Sequence, residues 1–514
     1  MITTCFIPKI GTTLCSYFFW AAGGVLLLCV YHVHLRHLLS SFRTLPSPSQ
    51  GPFWKRLLYE PRLPEIEQWV DTIPNKGVIR PKAAKEFLAA GAYKFVKPEL
   101  QATLSELISG RGLLTIEGEE HKQVRRKLNP AFSQANLRAG HHGLPAADNG
   151  PEAAFAGAAL IQLPIAAASI DMVGHFGYSV EFGTLNTMAS SKHGVAARHA
   201  HDKRKRFGRA FVHMFKTTRH GQLTLQAASI IGPKIALKLP LRAVRTIKSI
   251  MGLFYEMMRE VVEDHVKAEA GEVKADAKVS QERVDIMTHA VRSGVLSHAD
   301  LVEEGVHMIS GGTEMSIGTA TWAMHLLSRH LIRKEIRANV PSPYDRGATP
   351  AIEQADLRRL PYLNAVANEV LRFHFVNGLL WRDCVEPATI AGVHIPKGST
   401  VIFSPWALNR DPKHWGPTAR VFDPDRWLKN PTTGGADHPN SFMTFGGGPR
   451  RCIGEQYARN QLLCIIAAYI GRFELAPLDA GGSDEGTEIG DNFALTLFKV
   501  LDGWELRVRK IPGW

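Results

Sequence analysis

The chain commits itself most narrowly in ten residues near its C-terminal end, FGGGPRRCIG from Phe445 to Gly454. A thiol acts as nucleophile or metal ligand only as the thiolate, and neighbouring cations, free backbone N–H groups and a helix N-terminus all favour that charge. Arg450 and Arg451 immediately precede Cys452. The following EQYARNQLLCIIAAYIGRF has a helical apolar pattern, which places the cysteine just before or at a helix start. The glycines let the backbone pass close to something flat or bulky.

Three chemistries compete for such a loop. A phosphate cradle wants G-x-x-x-x-G-K-[ST], and no Lys-Ser/Thr follows. A cysteine nucleophile wants a partner histidine in a recognisable signature, and none of the 22 histidines stands in one. An axial thiolate for haem iron accounts for glycines and arginines together, because one face approaches a macrocycle while cations neutralise its propionates.

The rest of the chain narrows the class. Its 514 residues are 45% apolar and 21% charged, which excludes a disordered or fibrous protein. Lys and Arg number 61 against 48 Asp and Glu, a net +13 that favours anionic surfaces. The cations sit mainly in short clusters, His121 to Lys127 and Arg198 to Arg209, and no nucleic-acid motif accompanies them, so they read as solvated or membrane-facing edges. The cysteines are Cys5, Cys15, Cys29, Cys384, Cys452 and Cys464. With no CxxC pair among them, neither a disulfide framework nor a structural zinc site is expected.

From Ile10 to Tyr31 run 22 residues without a charge, about 33 Å as a helix. No small-x-small cleavage site follows, so a membrane anchor is expected rather than a signal peptide. Lys9 precedes the run while Arg36, Arg43, Lys55 and Arg56 follow it, which puts the body in the cytosol. The expected organisation is a short tail at 1–9, a transmembrane anchor helix at 10–31, a basic, Pro-rich linker at 32–63 and a catalytic body at 64–514. That body reads as mainly α with small β-sheets: helical periodicity holds over Arg245 to Lys267 and Leu301 to His330, and β-type stretches fall in ATIAGVHIPKGSTVIFS at 388–404. Arg138 to Ser169, rich in Gly and Ala, shows no sustained amphipathic period.

Taken in order, these landmarks resemble the cytochrome P-450 haem-thiolate enzymes. The family signature F-x-x-G-x-R-x-C-x-G is matched at Phe445, Gly448, Arg450, Cys452 and Gly454. Its E-x-x-R motif is similar to Glu369 and Arg372 in NEVLR, and FDPDRW resembles its F-x-P-x-R-W segment, with Arg426 as the arginine. The resemblance implies haem b with Cys452 as axial ligand, Phe445 and Gly454 in the cofactor loop, and Glu369, Arg372 and Arg426 in a buried ionic cluster behind it. It also implies propionate ligands at His121 and Arg125 in EEHKQVRRKLNPAF, at Arg382 and at Arg450.

One helix carries HMISGGTEMSIGTATW, with Gly311 and Gly312 at a cost of about 1 kcal/mol each against Ala. On residues alone this is either a boundary between two helices or a deliberate gap. It resembles the family's A/G-G-x-D/E-T-T/S motif, which implies Glu314 and Ser316 as the catalytic pair, but Met315 stands where a threonine is usual. Methionine has no hydroxyl to donate, so Ser316 or an ordered water takes that task, or reducing equivalents leak as peroxide.

The implied activity is a monooxygenase inserting one oxygen atom from O2 into a hydrophobic small molecule, such as a terpenoid of secondary metabolism. Its implied partners are an NADPH-dependent flavoprotein reductase and membrane lipid, with no nucleic acid, and its implied location is the endoplasmic reticulum as a single-pass protein. Met315 leaves open a haem-thiolate isomerase or dehydratase. A catalytically impaired relic stays open too, since the strand pair expected between Gly77 and Lys82 is nearly absent, LSRHLIRKEIR is shortened and the prolines after E-x-x-R are missing. The resemblance covers Pro64 to Trp514 and is strongest from Leu301 onward.

Overall fold

The computed structural model describes residues 81–133, 157–185, 232–271, 285–327, 332–340, 354–374, 376–477 and 505–512, with a few isolated positions besides. The expected anchor and linker lie outside them apart from Trp20, Gly23 and Gly24, as do Gly77 and the stretch 138–156. Among the described residues no helix is long and apolar enough to cross a membrane.

The principal elements are β1 (Phe95–Val96), α1 (Glu99–Ser109), α2 (Gly118–Leu128), β2 (Gly157–Leu160), α3 (Gln162–Tyr178), α4 (Arg242–Glu269) and α5 (Ile286–Arg292). They continue with α6 (His298–Leu327), α7 (Arg333–Asn339), α8 (Pro361–Phe373), β3 (Leu380–Cys384), β4 (Ala388–Ile390), β5 (Val393–Ile395) and β6 (Thr400–Phe403). Last come α9 (Asp425–Lys429), α10 (Glu455–Arg472), β7 (Phe473–Pro477) and β8 (Glu505–Lys510). Helices dominate, and the sheets are small and antiparallel: β1-β3-β6, β2-β8-β7 and the β4-β5 hairpin.

Periodicity explains which helices could be read. In α4 the buried Met251, Phe254, Met258 and Val262 recur at three- and four-residue steps and form one inward stripe. In α3 nearly every side chain from Pro164 to Tyr178 is buried, so no polar face exists and no amphipathic signal can arise. That is why its Gly/Ala-rich sequence looked featureless, and its upstream end forms β2 instead. Ala391 and Gly392 both take positive φ, as a two-residue hairpin turn between β4 and β5 requires.

One apolar core joins α3, α4, α6, α8 and α10, through residues such as Ile170, Phe254, Ile309, Val366 and Ile465. Helix α6 lies at its centre, packed on α3, α10 and α4. The fold therefore places the front of α10, where Cys452 leads in, and the middle of α6 in the same core.

Candidate haem-thiolate site

Backbone bonds shape the cysteine loop. The Cys452 N–H donates to the Phe445 carbonyl at 2.9 Å, and Gly446 N–H to Met443 at 3.0 Å. Gly448 has φ +66° and lies so close to the Leu88 carbonyl that an added Cβ would overlap it. Gly454 caps α10, so the cysteine sits two residues before the cap and just ahead of the helix, as its sequence suggests. Phe445 lies under the Arg459 guanidinium, 5.0 Å from its ring centroid.

A buried ionic cluster supports this loop from behind. The Glu369 carboxylate accepts from Arg372 Nε and Nη2 at 2.8 and 2.6 Å, from Arg426 Nε at 3.2 Å, from Trp427 Nε1 at 2.9 Å and from the Asp423 N–H at 2.9 Å. Glu369 and Arg372 are fully buried. Arg372 spends its remaining donors on the carbonyls of Asn409, Ala419 and Val421. Every charge thus has a partner, which a buried cluster needs to be tolerated.

Two side chains that sequence reasoning did not single out connect that cluster to the loop. Buried Asn409 donates to the Arg372 carbonyl and to Thr444 Oγ1 at 2.9 Å and accepts the Met443 N–H at 2.9 Å. Thr444 Oγ1 in turn donates to the Leu371 carbonyl at 2.7 Å. No local pattern marks either residue, because their partners lie 34 to 73 positions away.

Next to the loop gathers a group of cations. Arg450 donates Nε to the Ala92 carbonyl at 3.2 Å and Nη2 to Glu117, and lies over the Tyr93 ring at 4.8 Å, while its buried Nη1 has no partner. His121 is buried, with Nδ1 3.1 Å from the Tyr93 hydroxyl, and burial together with Arg450, Lys97 and Arg125 pushes it down to about 4, so its ring is neutral. Burial and then Arg450 hold Arg382 at about 10 despite Glu117. Arg125 bonds Asn129 and, at 2.5 Å, the Arg451 carbonyl beside the cysteine. The four expected propionate ligands therefore converge electrostatically, joined by Lys97, Glu117 and Tyr93, which carried no signal of their own.

Helix α6 runs unbroken for 30 residues through Gly311 and Gly312, so these glycines are not a helix boundary. Gly312 is packed tight, its Cβ position 3.2 Å from Val173 of α3. Gly311 is different: it is exposed although Ile309, Ser310 and Thr313 around it are buried, and nothing lies within 4 Å of its Cβ position. Ser316 donates its hydroxyl to the Gly312 carbonyl at 3.1 Å, and Thr319 to that of Met315 at 2.9 Å. Glu314 and Met315 are half-buried.

These features fit a haem. The Cys452 thiol is enclosed deep in the protein and yet accessible, so it borders open internal space. Gly311 borders open space as well, and the surplus of cations with an unpaired guanidinium nitrogen awaits carboxylates. Burial pushes the free thiol up, against the Gly454 N–H and the charges of Arg125 and Arg451. That is the wrong direction for a free nucleophile and no obstacle to a metal ligand, because coordination itself removes the proton.

Comparison with known proteins agrees with this geometry. The family model described as cytochrome P-450 matches residues 67–489. The chain is 30% identical to the cytochrome P-450 monooxygenase sphH of Aspergillus fumigatus, over 85% of this chain and 84% of that protein. It is 25% identical to the monooxygenase FSL4 of Gibberella zeae over 100% and 94% of the two chains, and 25% identical to buaD of Petromyces alliaceus over 96% and 93%. The chain belongs to the cytochrome P-450 family, an oxygen-incorporating oxidoreductase whose members bind haem through an axial cysteine thiolate.

Proposed function

We propose that this monooxygenase holds its haem through Cys452 and inserts one oxygen atom into an uncharged, hydrophobic small molecule of secondary metabolism, a terpenoid being one such class. The observation that carries the haem assignment is the Cys452 thiol, deep but accessible, at the head of α10 beside a cationic cluster. Bound there, the haem supplies dioxygen activation, with the thiolate's electron donation favouring O–O cleavage.

The chain's own residues do the rest. Arg450, Arg382, Arg125 and neutral His121 receive the two carboxylates, Arg as a fork and His as a single partner. Phe445 and Gly454 keep the loop flat against one face. Glu314 and Ser316 on α6 are the pair that would relay protons to the reacting site.

A cytosolic body at 64–514 anchored by 10–31 in the endoplasmic reticulum, fed by an NADPH-dependent flavoprotein reductase, completes the reading. Its support is the charge-free run and the cations that follow it. Deleting residues 1–31 should move the protein from alkali-resistant membranes to the soluble fraction. For the site, the reduced protein under carbon monoxide should give the red-shifted Soret band of thiolate-ligated haem, and Cys452→Ala should lose it. A band unchanged by that substitution sinks the assignment.

A further inference from the structure

Among the described residues every methionine except Met308 and Met315 is buried, Met258 and Met324 completely. The two exceptions lie on α6 with Gly311 between them, at steps of three and four residues, so all three share one face of the helix. Ile309, Ser310, Thr313 and Ile317 around that face are buried, whereas Gly311 is exposed and has nothing within 4 Å of its Cβ position. Two half-buried thioethers therefore flank the opening at Gly311. Gap-filling, the usual reason for a core methionine, does not explain a pair that borders open space.

An accessible thioether is oxidised by hydrogen peroxide to its sulfoxide. The sulfur lone pair attacks one peroxide oxygen, so that an S–O bond forms as the O–O bond breaks. The departing hydroxide takes the remaining proton of the attacked oxygen and leaves as water. Sulfur gives up two electrons and the peroxide accepts them. The product is polar where the thioether was apolar, and its oxygen accepts hydrogen bonds.

We propose that Met315 is a self-oxidation site: hydrogen peroxide released beside Gly311 during turnover converts it to the sulfoxide, and the modified wall holds hydrophobic molecules less well. This rests on the monooxygenase reading above. The oxidant comes from the reaction itself, since electrons from NADPH that miss the product reduce dioxygen to hydrogen peroxide where position 315 offers no hydroxyl. Peroxide formed at the opening meets Met315 before it reaches bulk solvent, while the core methionines lie behind close-packed protein. A polar oxygen in an apolar wall must stay solvated, so an apolar occupant that displaces its water binds less tightly. The working life of each molecule is then set by the number of leaking turnovers and not by elapsed time.

The test uses purified wild-type and Met315→Leu holoprotein with reductase, NADPH and dioxygen, and with catalase present to remove peroxide from bulk solution. Tandem mass spectrometry reads sulfoxide at Met315 against buried Met324 of the same helix, and the Soret shift with the apolar probe 4-phenylimidazole reads binding before and after turnover. In wild type the sulfoxide should accumulate at Met315 several-fold over Met324, only when NADPH is supplied, while affinity for the probe falls several-fold. Met315→Leu, which keeps an apolar side chain of similar volume, should retain its affinity through the same turnover. Sulfoxide no higher at Met315 than at Met324 overturns the proposal, as does equal sulfoxide without NADPH or an equal loss of affinity in Met315→Leu. If Met315→Leu retains no haem, the wild-type sulfoxide pattern decides. A wild type without a thiolate-type spectrum would instead sink the haem-site reading, which separates the two failures.

Discussion

The Ser316 hydroxyl donates to the Gly312 carbonyl one turn earlier, at 3.1 Å. Adjacent residues on a helix point about 100° apart, so Ser316 does not share the face of Met315, whereas exposed Gly311 does, four residues back. In the proposed proton relay Ser316 would therefore act from a different face than a threonine at 315. Met315→Thr should lower the peroxide released per NADPH consumed several-fold and raise product yield, since a missing proton-handling group costs at least that. Equal peroxide yields in the two proteins would show that Met315 imposes no defect.

The Glu369 carboxylate stands or falls with its partners. Arg426→Ala leaves part of a fully buried charge unpaired, and a loss of about 3–5 kcal/mol is expected. The outcome to look for is a lowered haem content together with a lower unfolding midpoint in denaturant. Normal haem content in that variant would remove the cluster from its supporting role.

Three side-chain acceptors in the first turns of α6 bind the loop after α1: Glu303 takes the Arg111 N–H at 3.0 Å, Glu304 that of Leu113 at 3.0 Å and His307 that of Leu114 at 2.9 Å. Burial raises Glu304 to about 8. Between its ordinary range and about 8 the folded protein keeps a proton that the unfolded chain has released, so stability falls as pH rises across that window and then levels off. At about 1.4 kcal/mol per unit, the loss amounts to a few kcal/mol. Glu304→Gln keeps an acceptor for Leu113 and has no proton to lose, so unfolding followed from pH 5 to 9 should be flatter than in wild type. Parallel pH curves would contradict the assignment.

Gly448 combines a positive φ with contact to the Leu88 backbone, which cannot move aside as a side chain could. Gly448→Ala should cost about 1–3 kcal/mol and displace the loop. Gly446→Ala is its control: φ is similarly positive at +68°, but nothing lies within 4 Å, so only the conformational cost remains. Thermal melts and haem content of the two variants would separate steric from conformational effects, and equal losses would show that the Leu88 contact carries no weight.

How much was legible depended on how local the determinant was. Cys452, Arg450 and Phe445 are read from ten contiguous residues, and α4 and α6 from their apolar spacing. The helix α3 was not legible, because burial on every side erases the polar face that periodicity relies on.

The sequence alone determined the cation-flanked, glycine-rich character of the cysteine loop, which is set by neighbours along the chain, and the resemblance of its motifs named Glu369, Arg372 and Arg426 for the ionic cluster. Tertiary structure decided what those residues experience. It brought Glu117 to Arg450 across 333 positions, set Lys97 among arginines, and opened space at Gly311 while closing it at Gly312. It also reversed the expectation for the free thiol, whose flanking arginines favour the thiolate while burial outweighs them. Charge and packing between distant segments act through space, and only the fold fixes which segments share that space.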